Sequence, residues 1–361
     1  MKTIYFVWMV SENSSFEVYF NNLFSQFEKN EKIKVVDKTY KYNTKMSKSK
    51  IFFSYLSYIL SLRKISSWTI IEITNANIIP PITLHKNVYK VHVCHDFFLY
   101  DDDFHSDKNL FSKIIDVYNK YIHKTLYRCV FNRANRIIAI SDATKKEIIS
   151  KFGSKNIGKI CIIYNWMDIE KFLSENKKNK KEKYILYVWS EIPRKNLKWV
   201  IEAFAIVKNR FPDLKLYKAP KETNKVCRNN TLKNIYENNL KIWKDIVFFD
   251  EYLPLDRLIE LYQKASIFVF PSIKEWFWLP IIEAQACWTP VITSNYEPMS
   301  ELVPYKDMLA NPLDSKDIAD KIIKILNSQD LMEKMIDDWF ENAKKFTWEN
   351  TAKWFFKVLD L

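Results

Sequence analysis

Short runs rich in β-branched and aromatic residues recur through the first half of the chain, at residues 3–10, 34–37, 69–73, 89–94, 136–140 and 159–163. Longer stretches with helical spacing separate them. Strands alternating with helices predict parallel βαβ units. Residues 174–183, SENKKNKKEK, contain no apolar side chain and read as a solvated linker. Beyond it the pattern restarts, with strands expected at 184–188, 215–218, 246–249, 267–270 and 291–293 and helices at 196–208, 255–264, 280–287 and 315–327. A length of 361 residues suits two domains. The expectation is an α/β protein of two Rossmann-like, doubly wound domains: residues 1–172, a linker over 173–183, and residues 184–345, followed by a C-terminal segment, 346–361. Such sheets take ligands outside the carboxyl ends of their strands, so two of them facing each other define a central cleft.

Composition narrows the classes. Hydrophobic residues at 48% and charged residues at 27% exclude a disordered chain. Cys94, Cys129, Cys161, Cys227 and Cys287 are odd in number, far apart and never spaced C-x-x-C, which argues against a disulfide framework or zinc knuckle and for a reducing, cytoplasmic setting. The opening apolar run lacks a small-residue cleavage site and reads as a first strand. The longest near-continuous apolar stretch, residues 51–62, falls short of the roughly 20 residues needed to span a bilayer.

The net charge of +13 is lopsided, with 26 Lys and Arg against 16 Asp and Glu up to residue 172 and 30 against 27 beyond it. A basic first half suits polyanionic partners. Nucleic acid is not expected, because the lysines are scattered and no reading motif accompanies them. Lys45, Lys48 and Lys50 before residues 51–60, with Arg63 and Lys64 after, have the pattern of an interfacial amphipathic helix and equally of a buried helix with solvated ends. Peripheral contact with an anionic membrane surface follows from the first reading.

The stretch PSIKEWFWLPIIEA, residues 271–284, is the most informative. Pro280 suits the first turn of a helix, which leaves Glu275 on the preceding loop and Glu283 about one turn inside, both able to face one ligand. The amides of Phe277, Trp278 and Leu279 then lie at a helix start, where unpaired N–H groups and the helix dipole favour a phosphate. Upstream, Arg194 and Lys195 end the turn after strand 184–188 and offer two adjacent cations to a diphosphate, with Asn196 placed to cap the next helix.

On these residues the chain resembles the retaining glycosyltransferases of family 4, which have the GT-B fold. The pieces that carry the likeness are His95-Asp96, ANRIIAISDATKKEI, IYNWMDIEKF, YVWSEIPRKNLKWVIEAFA, FVFPSIKEWFWLPIIEAQACWTPVITSN and ENAKKFTWENTAKWF, with Glu275 and Glu283 forming the family's E-x7-E element. The resemblance implies transfer of a sugar, mannose-like by preference, from a GDP- or UDP-linked donor to a polysaccharide or lipid-linked oligosaccharide. It implies that Glu283 binds the nucleotide ribose, Glu275 lies beside the donor sugar, Arg194 and Lys195 hold the diphosphate, and His95 faces the acceptor and reacting sugar. It also implies a C-terminal helix crossing back to the first domain and no bound metal or cofactor. Asp101–Asp103 imitates the metal-binding D-x-D of another glycosyltransferase fold but reads as a solvated acidic loop, and His92, Cys94 and His95 alternate across a strand instead of converging.

Trp8, Trp166, Trp189, Trp199, Trp276, Trp278 and Trp288 stand where family members commonly have glycine, and Trp339 fits the same pattern. The chain has 2 Gly and 12 Trp, whereas average usage predicts about 25 glycines. One cause accounts for both anomalies: a codon, UGA in some variant codes, that specifies glycine in the source. The alternative is a catalytically inactive nucleotide-sugar-binding or scaffold homologue, because an indole at 189, 276 or 278 obstructs the approach of a phosphate to the backbone.

Overall fold

The computed structural model describes residues 2–11, 15–37, 40–42, 69–74, 89–95, 124–125, 127–164, 169–173, 180–220, 222, 224–250, 253–275 and 279–361. Several sequence expectations lie outside the described residues: the basic-flanked stretch 51–60, Asp101–Asp103, Trp166, most of the 174–183 linker, and Trp276, Phe277 and Trp278. By internal contacts the chain divides into two compact units, Met1–Trp166 with Trp348–Leu361, and Met167–Thr347.

In the first unit the strands are β1 (Lys2–Ser11), β2 (Ile33–Asp37), β3 (Tyr40–Tyr42), β4 (Thr69–Thr74), β5 (Tyr89–Cys94), β6 (Arg136–Ala139) and β7 (Ile160–Ile162). They form one sheet in the order β2-β1-β4-β5-β6-β7, with β3 pairing to the far end of β1. Every described pairing is parallel. Residues 90–94 of β5 are all buried, as a central parallel strand covered on both faces requires.

Helix α1 (Ser15–Glu28) places Tyr19, Phe20, Leu23 and Phe27 on a buried stripe, and Phe6 of β1 meets the rings of Phe20, Phe24 and Phe27 edge-on at 5.1–5.5 Å. Helix α2 (Asp142–Phe152) starts on a Ser141 cap whose hydroxyl accepts from the Thr144 N–H, and its last turn closes on Gly153.

The second unit repeats the plan with β8 (Glu182–Val188), α3 (Leu197–Lys208), β9 (Lys215–Ala219), α4 (Lys225–Glu237), β10 (Ile246–Phe248), α5 (Leu255–Lys264), β11 (Ala265–Phe270), α6 (Leu279–Ala286), β12 (Val291–Ser294), β13 (Leu309–Ala310), α7 (Ser315–Leu326) and α8 (Gln329–Ala343). Its parallel sheet runs β10-β9-β8-β11-β12-β13. Counted within the unit, that is the dinucleotide-fold order 3-2-1-4-5-6, in which the order of strand addition reverses between β8 and β11. All six residues of β11 are buried, as are residues 184–188 of β8.

The last helix, α9 (Trp348–Val358), belongs to the first unit. Its Phe355 and Phe356 rings lie 6.0 and 4.7 Å from Phe27 of α1, and Trp348 lies 5.1 Å from Tyr19.

Candidate functional site

Two loops leave the carboxyl ends of β8 and β11, where the strand order of the second sheet reverses and a doubly wound sheet takes its ligand. The first, residues 189–196, ends in a short turn over Pro193–Lys195. Its fixing points are polar. The Tyr187 hydroxyl donates to the Lys195 carbonyl at 3.0 Å, and the Ile273 N–H of the second loop donates to the Arg194 carbonyl at 2.9 Å. Asn196 does not act as the helix cap that the sequence suggests. Its backbone is left-handed, φ 68°, no side-chain cap bond forms, and its amide donates instead to the carbonyls of Pro271 and Pro312. Asparagine tolerates that backbone, and its side chain ties the β8 loop to the β11 loop.

This tie brings Arg194, Lys195 and Glu275 together. Glu275 is 7% exposed and Lys195 1%. The carboxylate accepts from Arg194 at 2.5 Å on one oxygen and from Lys195 at 2.6 Å on the other. The Ser272 hydroxyl reaches the second oxygen at 2.6 Å. Burial lowers the Lys195 ammonium to a pKa of about 8, against the opposing pull of Glu275. The indole of Trp189 covers another face of Lys195, with Nζ 4.0 Å from the ring centroid.

Glu283 lies one turn inside α6 with a different partner. Tyr262 of α5 donates to it at 2.8 Å. Burial raises the Glu283 carboxyl to about 7, and the Tyr262 bond offsets part of that rise. Leu279 opens α6 and is exposed.

In the first unit His95 follows β5, buried, with its ring edge-on to Tyr19 at 4.8 Å. Burial drops its pKa to about 3, so the imidazole is neutral. His92, on the same strand, is likewise lowered to about 3 and packs against Phe131 and Tyr127. Among the described residues no group of three or more His, Cys, Asp or Glu is arranged to hold a metal ion.

Sequence reasoning missed a second charge cluster beside the first. Glu191 of the β8 loop takes Lys218 of β9 at 2.9 Å and Arg228 of α4 at 2.9 Å, and Arg228 also reaches Asp250 after β10 at 2.7 Å. The Glu191 N–H donates to Glu222. The available signal was a second lysine, Lys218, in the short strand KLYKA, on a face that the alternation turns toward the core, because a buried cation requires a carboxylate partner. Ser272 and Tyr262 carried no such signal.

Two family models match nearly end to end: Glycosyltransferase Family 4 over residues 26–171 and Glycosyl transferases group 1 over residues 168–346. The chain is 28% identical over 236 residues to the serotype-specific mannosyltransferase WbdA of Escherichia coli, covering 62% of this chain and 28% of that protein. It is 28% identical over 247 residues to the O-antigen chain mannosyltransferase RfbU of Salmonella typhimurium, covering 63% of this chain and 66% of that one. The matched region thus spans about a quarter of the length of the first relative.

Among solved structures, sucrose-phosphate synthase of Thermosynechococcus elongatus superposes with a TM-score of 0.72 at 16% identity, covering 100% and 98% of the two chains. HepE of Anabaena, in complex with UDP and glucose, superposes with a TM-score of 0.69 at 15% identity, covering 100% of each. These likenesses carry the fold. From the paired family models, the mannosyltransferase relatives and the two parallel sheets together, the chain belongs to the group 1, family 4 glycosyltransferases and has their α/β GT-B fold.

Proposed function

We propose that the chain is a retaining hexosyltransferase that moves mannose, or a closely similar sugar, from a GDP- or UDP-linked donor to a hydroxyl of a polysaccharide or lipid-linked oligosaccharide. The observation that carries this reading is the buried Arg194–Lys195–Glu275 cluster at the reversal of the second sheet.

Two cations fixed by a carboxylate are preorganised for the charge that develops on a departing diphosphate, and such preorganisation lowers a barrier more than mobile charges do. Phosphate oxygens compete with Glu275 for Arg194 and Lys195, so the two cations turn from the carboxylate to the negative diphosphate when the donor binds. The amides of Phe277, Trp278 and Leu279 complete the anion site, Glu283 takes the ribose, and neutral His95 meets the acceptor and the reacting sugar. The acceptor hydroxyl attacks from the side the diphosphate leaves: its oxygen bonds the anomeric carbon as the bond from that carbon to the diphosphate oxygen breaks, and its proton passes to the departing diphosphate. The names of two relatives, a serotype-specific mannosyltransferase and an O-antigen chain mannosyltransferase, support mannose and a cell-envelope glycan.

The test is to incubate the protein purified from the organism that encodes it with GDP-mannose, UDP-glucose and a panel of lipid-linked acceptors, measuring nucleoside diphosphate release and the anomeric proton of the product. Release with an α-linked product from an α-linked donor is expected; inversion, or no transfer from any donor, overturns the reading. Cytoplasmic placement at the inner membrane face is part of the same proposal, resting on the basic first half of the chain. Co-sedimentation with anionic liposomes, lost at high salt, is expected, and sedimentation indifferent to anionic lipid counts against it.

A further inference from the structure

We propose that positions 189, 243 and 288 are glycine in the working protein, the codons there being ones its source decodes as glycine, and that glycine at 189 is what opens Lys195 to a diphosphate. The backbone part stands without any function; the part concerning Lys195 rests on the function proposed above.

Among the described residues six have left-handed backbones: Gly153 (φ 84°), Asn196 (68°), Asn239 (55°), Asp360 (53°), Trp243 (66°) and Trp288 (60°). The first four are the residue types that visit this region, because glycine lacks a Cβ and the short side chains of Asn and Asp bond locally. For a bulky indole the same conformation is an outlier.

Two helix ends make the comparison direct. After α4, the Asn239 N–H donates to the Tyr236 carbonyl at 3.0 Å and the Leu240 N–H to Ile235 at 3.1 Å. After α6, the Trp288 N–H donates to Gln285 at 3.1 Å and the Thr289 N–H to Ala284 at 3.0 Å. Both are the same Schellman closure, whose left-handed position is usually glycine and sometimes asparagine. One end carries asparagine there and the other tryptophan. The Trp288 ring lies nearly flat on Phe340, 3.5 Å between centroids, closer than the 4.5–7 Å at which ring pairs usually settle. Trp243 is 66% exposed, so burial of its ring does not offset its backbone. The deficit of glycine against 12 tryptophans has the same direction.

At 189 the backbone is sheet-like in its bonding, with the N–H donated to the Ala219 carbonyl at 2.8 Å. The indole stands over Lys195, 4.0 Å from Nζ, and is edge-on to Phe270 at 6.4 Å. Glu275 holds the ammonium at 2.6 Å. Removing the side chain at 189 uncovers the face of Lys195 that a phosphate oxygen needs, while Glu275 continues to neutralise it until the ligand arrives.

The decisive measurement is peptide mass analysis of the protein purified from the organism that encodes it: glycine at 189, 243 and 288 is expected, and tryptophan at these positions overturns the proposal. A second arm uses recombinant chains. Trp243→Gly should melt about 2–4 °C above Trp243→Ala, and Trp288→Gly above Trp288→Ala, reversing the usual order in which alanine wins by restricting the unfolded chain. Alanine variants melting at or above the glycine ones overturn the backbone part. In calorimetry, Trp189→Gly should bind UDP or GDP at least tenfold more tightly than Trp189→Phe; equal affinities overturn the part concerning Lys195. Glycine masses with no nucleotide binding by any variant overturn the function proposed above, and with it the statement about Lys195.

Discussion

Glu275 is held by three donors at once, and two of them are cations that face each other across its carboxylate. Removing a buried carboxylate leaves its partner uncompensated, at a cost of about 3–5 kcal/mol. Glu275→Ala should therefore lower the unfolding free energy by that order in a urea titration, and Glu275→Met with Lys195→Met should recover a large share of it, because the two changes are coupled. The same residues set a pH window. Lys195 must carry its proton to meet a diphosphate and loses it above about 8, whereas Glu283 must lose its proton to accept from a ribose and does so above about 7. The pH dependence of kcat/KM should be a narrow bell with limbs near those values. Tyr262→Phe removes the bond that holds Glu283 down, so its acid limb should move to higher pH. The sequence singles out Arg194, Lys195, Glu275 and Glu283 by their order along the second half and by the family resemblance, and the structure draws the first three together. Their partners were not legible: Ser272 and Tyr262 are ordinary residue types, and 21 positions separate Tyr262 from Glu283.

Most elements could be read from their patterns. The strand at 89–94 and the helix at 255–264 stand where their patterns predict them, and other boundaries, such as the start of β8 at 182, move by one or two residues. What escaped had no pattern to show. β3 and β13 are three and two residues long. Helix α4 buries Cys227, Thr231, Asn234 and Ile235, a stripe at the right spacing but half polar, so it lacks the apolar signature that marks a helix face. Its start depends on Asn224, whose side chain accepts from the N–H groups of Val226 and Cys227. Asn224→Ala should cost about 1 kcal/mol. The Glu191 cluster links this helix to the β8 loop. Glu191→Ala leaves buried Lys218 without its carboxylate, so it should lower the melting temperature and reduce kcat/KM, whereas Asp250→Asn, at the more exposed end of the cluster, should do neither strongly.

At the scale of the whole molecule, the two-unit α/β architecture followed from the alternation of strands and helices, but the membership of the last helix came only from the family resemblance. No local pattern tells α9 which core it will cover. Truncation before residue 348 should leave the second unit cooperative in melting while the first exposes Tyr19 and Phe27 and binds a hydrophobic dye. His92 and His95 are both depressed to about 3, so the unfolded chain binds more protons between about 3 and 6.5 and the intact protein should lose stability as pH falls through that window. His95→Gln should flatten part of that loss. The chain leaves the first unit after residue 166 and re-enters it at 348. On a ribosome, domains ordinarily close in the order in which they emerge. Here residues 167–347 form a unit that is complete in itself, while the unit begun by residues 1–166 must wait for residues 348–361: of the two, the one begun first is finished last.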